Sequence, residues 1–160
     1  MTIPATENDD RLILGCWRLH QRTPVQIAML LETALESGIR HFDHADIYGG
    51  GDSERQFAQA LQTIGCPRES IVIQSKCGIR DGHYDSSAGH ILESVDGILD
   101  RLGTDYLDTL LLHRPDALME PAEVAEAVRS AMVQEFARHG VETDHWIVRV
   151  ESDGARVVSA

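Results

Sequence analysis

The chain has 160 residues, 42% of them hydrophobic and 25% charged, with a formal net charge of −12. Those figures suit one soluble globular domain able to bury a proper core. The acidity argues against a general nucleic-acid binder, which needs a basic face, and against a basic membrane-surface helix.

No apolar run reaches the length of a membrane span. The N-terminus, MTIPATENDDR, has neither the basic region nor the apolar stretch of a signal peptide. Four runs predict strands: RLILGCW (11–17), IRHFDHAD (39–46), SIVIQSK (70–76) and DYLDTLLLH (105–113). Each is short and rich in Ile, Val, Leu or aromatic residues. A helical pattern follows every one. The first helix opens on Thr23-Pro24, carries Ile27, Leu30, Leu31, Ala34 and Leu35, and stops at Gly38. The second starts near Ser53 with Phe57, Ala60 and Leu61 on its apolar face. The third starts near Ser86 or Ser87, carries Ile91, Val95, Ile98 and Leu102, and stops at Gly103. The fourth opens on Pro121, carries Val124, Ala127 and Val128, and has Gly140 as its stop.

Strand starts lie 29, 31 and 35 positions apart, the spacing of right-handed βαβ units on a parallel sheet. A doubly wound open sheet that binds a dinucleotide would carry G-x-G-x-x-G after its first strand. Here Cys-Trp-Arg-Leu-His follows instead, and the only glycine-rich stretch, YGGGD (48–52), comes after strand two. The α/β pattern therefore favours a (β/α)8 TIM-barrel type of which only the first four βα units, a half-barrel, are present. The tail, 141–160, breaks the period; HWIVRVESDGARVV predicts two short strands around Asp153-Gly154, a C-terminal β-hairpin. The expected division is thus 1–140 for the half-barrel and 141–160 for the tail.

Chemistry in parallel α/β folds gathers where strands end. Strand two ends in Asp43, with Tyr48 in the loop beyond; strand three ends in Lys76; strand four ends in His113. Neighbouring strands are about 4.8 Å apart, so these side chains can converge. An ammonium beside a phenol favours the phenolate, a carboxylate keeps the ammonium charged, and an imidazole can orient a substrate oxygen. Tyr48 with Lys76, Asp43 and His113 would then donate a proton to a carbonyl oxygen. Lys76 is the one lysine among 14 Lys and Arg residues. A slender ammonium fits a narrow site between Asp43 and Tyr48 where a planar guanidinium fork does not. Chance placement in an arginine-rich chain and a buried structural ion pair are the plain alternatives.

These residues resemble the aldo-keto reductase family. FDHADIYGGGDSE (42–54) follows the family's kind of D-x-A-x-x-Y-G signature with a glutamate, Glu54, shortly downstream. IVIQSKCG (71–78) and YLDTLLLHRPD (106–116) come in the family's order, and LGCWRL (14–19) is similar to its first strand. HADIYGG, SKCGI and HRPD together resemble a bacterial branch of predicted oxidoreductases. The resemblance covers about residues 11 to 130. It implies a barrel that binds NADPH without a Rossmann fold and reduces aldehydes or ketones to alcohols. It implies Tyr48 as general acid, Lys76 and Asp43 as its tuning pair, and His113 as the substrate-orienting residue. It places Gly15, Cys16 and Trp17 against the nicotinamide end of the cofactor. The family's later cofactor contacts, a Ser-Asn pair, an amide side chain and a basic loop, do not follow after Val128. The chain alone is therefore expected to bind NADPH poorly and to turn over weakly or not at all.

Two other readings compete. His41, Asp43, His44 and Asp46, with His113 and Asp116, are residue types that hold metals in barrel hydrolases, and His41 and Asp43 share a strand face. The plainer expectation is that His44 and Asp46 bond loop backbone and His41 lies lower in the barrel. The other reading is a non-catalytic half-barrel whose uncovered sheet drives self-association or partner binding. The three cysteines, Cys16, Cys66 and Cys77, show no C-x-x-C pair and predict reduced thiols in a cytoplasmic protein. Cys77, beside Lys76, reads either as a reactive thiol or as a buried strand residue. His83 and Tyr84, in the loop after strand three, read equally well as facing a substrate or as a polar surface loop.

Overall fold

A computed structural model describes residues 12–114 and 121–138. The tail 141–160, with its expected hairpin, lies outside the described residues, as do Asp116 and Gly140. Strand β1 (Ile13–Gly15) leads through a 3-10 turn at Leu19–Gln21 into helix α1 (Pro24–Glu36). The helix starts at Pro24 because Thr23 and Gln26 form a capping box: Gln26 N–H donates to Thr23 Oγ1 at 3.3 Å, and Thr23 N–H donates to Gln26 Oε1 at 3.0 Å. Strand β2 (His41–Asp43) runs into a 3-10 turn at Tyr48–Gly51 and helix α2 (Asp52–Ile64). Strand β3 (Val72–Cys77) is followed by two short strands, β4 (Ile79–Arg80) and β5 (His83–Tyr84). Helix α3 (Ala88–Leu102) is capped by Ser87, and Gly103 closes it in the left-handed region at φ 63°. Strand β6 (Thr109–Leu112) and helix α4 (Pro121–Arg138) complete the described chain.

The sheet order is β1-β2-β3-β6, and every pairing is parallel. With a helix after each strand, this is a partial α/β barrel of four βα units. The strands are shorter than the apolar runs suggest. Their ladders are carried on by single backbone bonds from the loops: Cys16 N–H to Asp43 O (2.9 Å), His44 N–H to Gln74 O (2.8 Å), Asp46 N–H to Lys76 O (3.0 Å) and His113 N–H to Cys77 O (2.8 Å). Pairing thus reaches the functional end although regular strand geometry stops earlier. The segment after β3 is an antiparallel pair, Ile79 opposite Tyr84 and Arg80 opposite His83, rather than a loop. Asp81-Gly82 makes its two-residue turn, and Gly82 adopts φ 78°.

Side chains alternate along β3. Ile73, Ser75 and Cys77 are buried against the helices, while Val72, Gln74 and Lys76 face the other way and are half-buried. Strand β2 does the same: Phe42 is buried under the helices and His41 and Asp43 turn to the opposite face. Phe42 meets Phe57 of α2 with ring centroids 5.1 Å apart, beside buried Ile27, Leu31 and Ile98. Each such ring or branched chain contributes about 1.5–3 kcal/mol on burial. A second cluster joins Cys77 and Ile91, with Val128 of α4 packed against it.

Candidate active site

Register brings the site together. Asp43 pairs with Gln74 on one side and with Gly15 on the other, and Lys76 lies two residues further along β3. Lys76 Nζ donates to Asp43 Oδ2 at 2.7 Å, to the His44 carbonyl at 2.8 Å and to the Tyr48 hydroxyl oxygen at 3.2 Å. All three ammonium protons are thereby used. Three acceptors in three directions suit an ammonium and defeat a planar guanidinium, which is why lysine stands here. Asp43 Oδ1 accepts from Gln74 Nε2 at 2.6 Å, so both carboxylate oxygens are held. The Tyr48 oxygen accepts from the ammonium, which leaves its own proton free to point to another acceptor. His113 completes the group: its ring stands edge-on to that of Tyr48, centroids 5.7 Å apart at 83°. Burial, then the nearby Lys76 and Arg114 charges, hold His113 below the usual histidine range, which favours a neutral imidazole. Its Nδ1 is buried without a hydrogen-bond partner.

The structure places Asp43, Tyr48, Lys76 and His113 in one cluster at one end of the sheet. Gly15, Cys16 and Trp17 are more dispersed. Gly15 is exposed beside Asp43, and nothing lies within 4 Å of the position of a Cβ there. Trp17 is 58% exposed, with the Arg18 guanidinium 4.7 Å from its ring centre. Cys16 turns into the core: it is fully buried, its Sγ lies 3.6 Å from Leu14 O, and burial pushes its thiol well above the ordinary range. Cys77 is buried as well and its thiol is pushed up to about 12, so the packing reading of this residue stands over the reactive one.

Among the described residues no three His, Cys, Asp or Glu side chains are grouped so as to hold a metal ion. His41 sits two residues below Asp43, opposite Ile13 and Val72, and does not join Asp43 and His113 in one ligand set. His44 differs from expectation too. Its ring is fully buried against Phe57, centroids 4.4 Å apart, and neither ring nitrogen bonds the loop backbone. The reason is alternation: Asp43 faces the site, so His44 faces the helices. Burial pushes its imidazole down to about 3.

Several supporting residues were missed in the sequence. Gln74 shares the face of Lys76 at i−2, which could have marked it. Glu54 lies three positions before Phe57 on the buried side of α2, an odd place for a carboxylate. It is 0% exposed; Oε1 accepts from Ser75 Oγ at 3.0 Å and Oε2 from Arg101 Nε at 2.6 Å. Burial raises its pKa and the Arg101 partner opposes the rise. No local signal ties Arg101 to Glu54, because 47 positions separate them.

Comparison with known proteins bears on the whole arrangement. The profile of the aldo/keto reductase family matches residues 11–140. The uncharacterized oxidoreductase YcsN of Bacillus subtilis is 44% identical over 132 residues, covering 75% of this chain and 44% of that protein. The oxidoreductase YdhF of Escherichia coli is 40% identical over 139 residues, covering 81% and 47%. An aldo-keto reductase from Bacillus halodurans, solved in its holo form, superposes with a TM-score of 0.65 at 30% identity, over 81% of this chain and 43% of that one. The chain thus spans less than half the length of these relatives. With the family profile running through all four βα units and across Asp43, Tyr48, Lys76 and His113, the chain belongs to the aldo/keto reductase family.

Proposed function

We propose that this site reduces an aldehyde or ketone to an alcohol with NADPH, and that Tyr48 is the proton donor. The observation that carries the reading is the Lys76 ammonium, within hydrogen-bond distance of both the Asp43 carboxylate and the Tyr48 hydroxyl. The relatives named as oxidoreductases support the reaction class. NADPH, when bound, supplies the hydride that reaches the carbonyl carbon. Tyr48 gives its hydroxyl proton to the carbonyl oxygen as negative charge develops there. Lys76 stabilises the phenolate left behind, and Asp43 holds Lys76 in place. Neutral His113, beside the Tyr48 ring, donates a hydrogen bond that orients the same oxygen.

The residues fit the reacting end of the cofactor. Gly15 leaves open space beside Asp43, and Trp17 offers an exposed flat ring. They do not supply the phosphate end: Lys76 and Arg101, the cations that touch Tyr48 or its turn, are bound to Asp43 and Glu54. At a net charge of −12, the chain alone binds NADPH weakly. The test follows NADPH absorbance with a generic aldehyde at high cofactor concentration. Turnover is expected to be slow and to vanish in Tyr48→Phe while NADPH binding persists. Turnover that survives Tyr48→Phe overturns the role given to Tyr48.

A second reading concerns assembly. Ile13 and Leu111, on the sheet face that the helices do not cover, are 49% and 39% exposed. A second copy of the chain covering that face would bury both. Light scattering across a dilution series checks this; a monomer at all concentrations removes it. The three free cysteines support a reducing, cytoplasmic setting. No helix among the described residues is long and apolar enough to cross a membrane.

A further inference from the structure

The turn that carries Tyr48 has an unusual backbone. Gly49, Gly50 and Gly51 adopt φ of 62°, 64° and 90° in succession. Glycine reaches that region without steric cost but loses more conformational freedom on folding than any other residue. Three in a row have little intrinsic reason to hold one shape. Yet the hydroxyl of the residue before them meets Lys76 Nζ at 3.2 Å.

Two side chains from distant parts of the chain press on this turn. A Cβ at Gly51 would stand 2.5 Å from Arg101 Cδ and 2.7 Å from Arg101 Nε. A Cβ at Gly97, one turn earlier on α3, would stand 2.9 Å from Arg101 Nη1. The guanidinium therefore lies in a slot that two glycines keep clear. On the other side, a Cβ at Gly49 would stand 2.5 Å from His20 Cγ. Both pressing groups are anchored. Arg101 Nε donates to buried Glu54 at 2.6 Å, and His20 Nδ1 meets Ser53 Oγ at 3.1 Å. Glu54 in turn accepts from Ser75, the neighbour of Lys76 on β3. An unbroken line of contacts thus joins the strand of Lys76 to the turn of Tyr48 through Ser75, Glu54, Arg101 and Gly51.

We propose that Arg101 is a positioning residue: seated between Gly97 and Gly51 and tied to Glu54, it sets where the Tyr48 hydroxyl stands relative to Lys76. His20, bearing on Gly49, is the weaker second arm. The proposal rests on the reading of Tyr48 as proton donor. Arg101 itself acts at the back of the turn and touches no reacting atom.

The test is tyrosine NMR on the full chain labelled with carbon-13 at Cζ. The chain has 3 tyrosines, and Tyr48→Phe assigns the resonance of Tyr48. The double variant Glu54→Gln/Arg101→Met removes the tether without leaving a buried charge unpaired. Its Tyr48 resonance is expected to shift and broaden while that of Tyr84 stays in place. Arg101→Lys keeps a cation beside Glu54 but loses the guanidinium that fills the slot, and is expected to move the Tyr48 resonance by a smaller amount than the double variant; His20→Ala is expected to give a smaller change still. A Tyr48 resonance that does not move in the folded double variant overturns the proposal. Should that variant not melt cooperatively, Arg101→Lys decides alone: a moved Tyr48 resonance supports the clamp and an unmoved one ends it. The readout uses no cofactor, substrate or turnover. Failure of the carbonyl-reduction reading leaves it intact, and an unmoved Tyr48 leaves carbonyl reduction intact.

Discussion

The two faces of the sheet are built by the same strands and do opposite work. Toward the helices stand Phe42, Ile73, Ser75 and Cys77, all buried. Toward the open side stand Asp43, Gln74, Lys76 and Leu111, none of them buried to that degree. One residue step separates a packing position from a chemical one, because strand side chains alternate. Stability should therefore reside on the first face and activity on the second, and the two should be separable by mutation.

The largest effect is expected on the open face. Tyr48→Phe should lower carbonyl turnover by about 10²- to 10⁴-fold with an unchanged melting curve. A matching loss of stability would mean that Tyr48 is a packing residue. Next comes the covered face. Phe42→Ala should cost about 3–5 kcal/mol in denaturant titration, since the ring is fully enclosed against Phe57. A cost under about 1 kcal/mol, as for ordinary surface changes, would break the division between faces.

A pH experiment sharpens it. His44 ionises near 6.5 when exposed but is held down to about 3 in the fold. Between those values the unfolded chain binds a proton that the folded chain refuses, so stability falls as pH drops through that window. The loss is on the order of a few kcal/mol. Glu54 and Asp46, raised by burial, act with the opposite sign. The clean measure is the difference between the wild type and His44→Leu: the variant should lose less stability on acidification. Equal slopes would contradict burial as the cause. The smallest effect belongs to Leu111→Ser, within about 0.5 kcal/mol for the monomer, with a weaker tendency to associate at high concentration.

Much of this was legible in the order of residues. The βα period, the Thr23-Pro24 start and the Gly103 stop follow from rules that act over a few positions, and helices obey them. The candidate tetrad was legible because strand ends are where βα folds expose side chains. The β4–β5 pair was not, since two-residue strands carry no periodicity. His44 was misplaced because face assignment depends on register, and HFDHAD offers a polar residue on both faces.

The chain's local patterns dictate four βα units, their parallel sheet and the residue types that end each strand. They act through hydrogen-bond geometry and apolar periodicity within about ten residues. Only the folded arrangement decides that Lys76 divides its three protons among Asp43, His44 and Tyr48, and that Glu54 meets Arg101 behind the glycine turn. Those pairs lie 28 to 47 positions apart. Nothing in a local stretch encodes such a contact; it exists because packing of the helices on the sheet brings the groups together.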